Sequence, residues 1–100
     1  MKEINKHIEV IKKLCTQHHV KSLYAFGSAL QETLKQSSDI DMIVEFQPLD
    51  LKFYADNYYN LKFSLQQIFG RPVDLLENQA IRNPYFRQEI EKKKRPVYVA

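Results

Sequence analysis

Cysteine occurs once in this 100-residue chain and glycine only twice. No apolar run approaches the ~20 residues that a membrane-spanning helix needs. The lone Cys15 excludes an internal disulfide, and its place among Ile4, Ile8, Ile11 and Leu14 marks it as a small core residue. The first residues, Met-Lys-Glu-Ile-Asn-Lys-His, contain no continuous apolar stretch and do not read as a secretory signal. Neither sign of charge dominates: 15 Lys and Arg stand against 12 Asp and Glu, a net +3. That excess is too small to indicate nucleic-acid binding by itself. What is present, 44% hydrophobic residues with 12% aromatics, is the composition of a globular chain rather than a disordered or repetitive one. The expectation is a single domain over residues 1–100, in a reducing compartment such as the cytoplasm, with no membrane contact.

Ile4, Ile8, Ile11, Leu14 and Cys15 recur at helical spacing and predict an amphipathic helix over about residues 2–18. Ser22 to Phe26 predicts a short strand ending at Gly27, followed by something short and helical around Ser28–Thr33. Gln36-Ser37-Ser38 is a polar loop. Ile40 to Phe46 predicts a strand whose parity is informative. Ile40, Met42, Val44 and Phe46 share one face, suited to packing under helices. Asp39, Asp41, Ile43 and Glu45 share the other, so the carboxylates cluster away from the main core. Pro48 breaks the strand. Leu51, Tyr54, Tyr58, Leu61, Leu65 and Ile68 then mark a long helix capped at Gly70. Pro72 to Leu76 predicts a third strand, Asn83-Pro84 opens a last helix to about Lys93, and Val97 to Val99 closes as an edge strand. The order implies an α/β (α+β) fold: a small mixed sheet of about four strands packed with helices.

Three elements stand in order: a strand ending in Gly27-Ser28, Asp39-Ile40-Asp41 entering a strand, and Asp74 inside a third strand. A small-residue turn after an apolar run can offer backbone N–H groups to a phosphate. Aspartates at i and i+2 on a strand point the same way, about 6–7 Å apart along it. Aspartate is disfavoured within strands, so Asp74 sits on a face that tolerates charge. The bland reading of Asp74 is an ion-paired edge carboxylate beside Arg71. The functional reading is a third carboxylate converging on the first two, which requires cations to offset their repulsion. Magnesium suits such a set when the substrate carries phosphates.

On Gly27-Ser28, Asp39-Ile40-Asp41 and Asp74, the chain resembles the nucleotidyltransferase superfamily that includes DNA polymerase beta. It is most similar to the minimal, stand-alone members, often encoded beside a HEPN-domain partner as toxin–antitoxin pairs. The resemblance covers roughly residues 20–76, with a tail from Asn83 to Tyr98 also typical of small members. It implies a polymerase-beta-like fold and transfer of a nucleoside monophosphate, AMP from ATP or another nucleoside triphosphate, to a hydroxyl of a protein or RNA. It implies that Gly27 and Ser28 hold the β- and γ-phosphates. Asp39 and Asp41 then bind two magnesium ions, and Asp74 binds one of them and helps deprotonate the attacking hydroxyl. A HEPN-type protein would supply the acceptor.

The chain departs from that pattern where family members carry arginines two and four residues after the glycine and often a second glycine at five. Ala29, Gln31 and Glu32 stand there. Charge-assisted contacts worth about 1.5–3 kcal/mol each are missing, and Lys35 is the nearest basic residue able to compensate. This departure motivates an alternative: a weak or inactive nucleotidyltransferase-fold module that regulates its partner by contact. Other features read blandly. His18-His19 and His7 lack the companions of a metal site and suit a solvated helix end. The run Lys92 to Arg95 suits a helix C-terminus, and a grip on RNA is its other reading. Tyr58 and Tyr59 cannot both face inward.

Overall fold

In the computed structural model, which describes residues 2–30 and 39–100, the strands are β1 (Val20–Phe26), β2 (Ile40–Phe46), β3 (Val73–Glu77) and β4 (Arg95–Val99). The helices are α1 (Lys2–Lys6), α2 (Ile8–Gln17), α3 (Leu51–Phe69) and α4 (Pro84–Lys93). Short 3-10 turns occupy Gly27–Leu30 and Asn78–Ala80. The sheet order is β3-β2-β1-β4. β1 runs antiparallel to both β2 and β4, whereas β2 and β3 are parallel. Parallel neighbours need a crossover connection, and α3 supplies it.

Polar residues fix the ends of α3 and α4. Asp50 accepts the Lys52 N–H at 3.0 Å to start α3. Gly70 stops it in the left-handed region, φ +66°, where a residue without Cβ is favoured. Asn83 accepts N–H bonds from Tyr85 at 2.9 Å and Phe86 at 3.1 Å, with Pro84 in the first turn of α4. Asn83→Ala removes both bonds. We expect it to cost about 0.5–2 kcal/mol, read as a lower midpoint in thermal denaturation; an unchanged midpoint would contradict the assigned cap.

The expected first helix is two helices. The chain turns at His7, whose N–H bonds Ile4 O at 3.0 Å and whose carbonyl accepts the Ile11 N–H at 3.1 Å. Hydrophobic spacing alone does not register such a break, because Ile4 and Ile11 are fully buried on either side of it. β1 starts two residues before its expected start at Ser22, and β3 reaches Glu77.

The main core lies on one face of the sheet. Met42, Val44 and Leu23 pack there against Ile11 and Cys15 of α2 and against Leu61 and Leu65 of α3. Burial pushes the Cys15 thiol up to about 12, which keeps it a protonated, inert core group. The other face was expected to be open around the aspartates, and it is open only in part. Ile43 is buried against Ile81 and Ile90, with Phe26 and Leu76 packed alongside. Fully burying an isoleucine side chain is worth about 1.5–3 kcal/mol, enough to dock α4 although its outer surface is charged. Among the described residues, no helix is long and apolar enough to cross a membrane.

Candidate active site

The parallel register sets Asp41 of β2 directly beside Asp74 of β3. Both side chains therefore leave the sheet on the same side, from strands about 4.8 Å apart. Asp39 is exposed and stands one residue before β2. The Ile40 N–H bonds Pro72 O at 3.1 Å, so the pairing of the two strands extends back to that point. Asp41 is half-buried and Asp74 exposed.

On the other flank, Phe26 pairs with Asp41 across the antiparallel β1–β2 ladder, which brings Gly27 to the same place. Gly27 has φ +59°, and a Cβ built on it would lie 2.7 Å from Asp41 Oδ2. Only glycine allows both this backbone conformation and this approach to a carboxylate. Ser28 belongs to the 3-10 turn that follows. Lys35, the expected compensating cation, lies outside the described residues, as do Gln31 and Glu32.

The donor set can be judged against magnesium. Carboxylate oxygens are the hard ligands this ion prefers, and it takes one or two of them together with substrate phosphates rather than a full protein cage. The aligned Asp41 and Asp74, with Asp39 beside them, fit that requirement. Among the described residues no three His, Cys, Asp or Glu side chains converge into a metal site.

Two tyrosines of α3 brace β3. Tyr54 donates to Glu77, and Tyr58 donates to Leu75 O at 2.5 Å. Burial, reinforced by Glu77, raises both phenols above their ordinary range, so each stays a donor. Tyr59 faces outward and stacks on Phe63, which resolves the pair as the helical spacing required.

α4 adds a wall that the sequence reading missed. Phe86 meets Phe26 edge-on at 6.1 Å between ring centres. A cavity of about 190 Å³ opens on its Gly27 side, and another of about 340 Å³ on its Leu76 side. Arg87 holds this wall in place. Its guanidinium donates to Asn78 O at 2.6 Å and Ile81 O at 3.0 Å, tying the turn after β3 to α4. The basic run at the end of α4 is partly spent internally: Lys93 pairs with Glu89 and Lys94 with Glu91, each at 3.0 Å.

The family model described as polymerase beta, nucleotidyltransferase, matches residues 9–100. The chain belongs to this nucleotidyltransferase family. A candidate protein adenylyltransferase of Methanocaldococcus jannaschii is 36% identical over 92 residues, covering 91% of this chain and 88% of its own. Among solved structures, a candidate minimal nucleotidyltransferase aligns with TM-score 0.78 at 22% identity, covering 96% of both chains. The antitoxin complex with a tri-AMPylated HEPN toxin of Shewanella oneidensis aligns with TM-score 0.64 at 19% identity, over 97% of this chain and 73% of that one. The mixed four-stranded sheet with its helices is thus the fold of the minimal nucleotidyltransferases.

Proposed function

We propose that this nucleotidyltransferase moves AMP from ATP to a hydroxyl on a HEPN-type protein partner in the cytoplasm, as the antitoxin of a toxin–antitoxin pair. The observation that carries the reading is the pairing of Asp41 with Asp74 beneath the bare Cα of Gly27. The adenylyltransferase relative and the AMPylated HEPN complex support the choice of nucleotide and partner.

In this reading the backbone of Gly27 and Ser28 binds the β- and γ-phosphates, with Lys35 as the added cation. Asp39, Asp41 and Asp74 would hold two magnesium ions. When bound, these supply Lewis-acid charge to the phosphates and to the attacking oxygen. Asp74 accepts the proton of the acceptor hydroxyl. That oxygen bonds to the α-phosphorus as the bond from the α-phosphorus to its bridging oxygen breaks, and pyrophosphate leaves. The sheet sets Asp41 beside Asp74, so the protein's contribution is placement and charge.

The test uses ATP labelled at the α-phosphate, magnesium chloride and the HEPN-type protein encoded beside the gene. Label on the partner, abolished by EDTA, is expected. A partner that binds tightly yet takes no label would instead establish regulation by contact, which the missing basic residues at Ala29 and Gln31 favour.

A further inference from the structure

Between α4 and the sheet lies a polar cavity of about 140 Å³. Its floor is two cross-strand pairs of the β1–β2 ladder, Ser22 opposite Glu45 and Tyr24 opposite Ile43. Arg87 and Glu91 of α4, Lys94 just after it and Asn78 of the turn after β3 complete the lining. Glu45 stands four residues along β2 from Asp41, about 13 Å away, and Ile43 is buried between them. The cavity is therefore separate from the candidate active site.

We propose that this cavity binds a small zwitterion, an α-amino acid of the size of glycine or alanine. Ser22 is 9% exposed and borders the cavity, and its hydroxyl has no hydrogen-bond partner among the described residues. A hydroxyl desolvated this far without a partner is costly, and a ligand that bonds it removes the cost. Beside it, Glu45 meets Lys21 at 3.7 Å, beyond hydrogen-bond range. The sheet side thus offers a carboxylate and a hydroxyl, the partners of an ammonium. The α4 side carries the opposite surplus. Arg87 and Lys94 share the carboxylate of Glu91, at 3.8 and 3.0 Å. Lys94 lies over the Tyr24 ring, 4.3 Å from its centre. Asn78 Oδ1 accepts from Arg87 at 3.3 Å, which leaves its amide N–H groups to donate. These are the partners of a carboxylate. Ser22 and Tyr24 are two residues apart on β1, so the two ends are separated by about 6–7 Å. An ammonium and a carboxylate on one carbon bridge that span with a hydrogen bond at each end. A cavity of about 150 Å³ holds benzene, so a ligand of about six non-hydrogen atoms fits. Ile43 is the one aliphatic residue in the lining, and a long apolar side chain would find little to pack on. Inorganic phosphate suits the cavity poorly, because Glu45 and Glu91 both repel it.

The probe is glycine, titrated into the full chain and followed by NMR, with methylammonium chloride, sodium acetate and potassium chloride as controls at equal ionic strength. Saturable shifts at Ser22, Glu45 and Asn78 are expected with glycine, and much weaker ones with either half of the molecule alone. Glu45→Gln should weaken glycine binding about tenfold, and Ser22→Ala about fivefold. Because the Ser22 hydroxyl has no protein partner to lose, Ser22→Ala should leave the thermal midpoint without glycine unchanged. That keeps the test decisive if Glu45→Gln fails to fold. A cavity that holds water only, seen as no saturable shift at these residues, overturns the proposal. So does methylammonium, acetate or potassium binding as tightly as glycine, or glycine binding that Ser22→Ala leaves intact.

Discussion

Replacing Asp39 and Asp41 together with alanine should reduce AMP transfer by about 1,000-fold. Metal-held charge contributes several kcal/mol to the transition state, and each ~1.36 kcal/mol is a factor of ten in rate. Asp39 is exposed and Asp41 half-buried, so the variant is expected to remain folded while kcat/KM collapses, with the thermal midpoint measured alongside. A double variant that keeps more than a tenth of its activity would show that these carboxylates do not carry the reaction.

Gly27→Ala should fail for two separable reasons. Alanine at φ +59° costs about 1–2 kcal/mol of backbone strain. That corresponds to a midpoint lowered by about 4–8 °C per kcal/mol in a domain of this size. Its Cβ would also meet Asp41 Oδ2 at 2.7 Å and push the carboxylate aside. A displacement near 1 Å is enough to cost about 100-fold in rate. Gly70→Ala separates the two effects. Gly70 has a similar φ of +66°, but a Cβ there meets nothing within 4 Å. It should lose similar stability and keep full transfer activity, measured well below both midpoints. Equal activity losses in the two variants would mean that the approach of Gly27 to Asp41 is unimportant.

The residues that build the candidate site were legible because each is unusual where it stands. An aspartate inside an apolar strand needs a reason, and so does a glycine in a chain that has only one other. The parity of β2 separated the core residues Met42 and Val44 from Asp41 correctly. It also put Ile43 on the second face with Asp41, but one strand cannot reveal that α4 will return from the far end of the chain to bury Ile43 there. The break at His7 was hidden for a related reason: buried isoleucines on both sides keep the helical rhythm. Phe86 and Arg87 looked like ordinary helix residues. Their roles arise from distant contacts, with Phe26 across the sheet and with the carbonyls of the turn after β3. Nothing local in sequence encodes those contacts.

The most direct measurement is a manganese titration followed by electron paramagnetic resonance, in the presence of a non-hydrolysable ATP analogue. Manganese substitutes for magnesium at oxygen sites. The account predicts two bound ions per chain, with both the stoichiometry and the affinity lost in the Asp39→Ala/Asp41→Ala variant. A free-manganese signal that the protein leaves unchanged, or binding that the double substitution leaves intact, would contradict it.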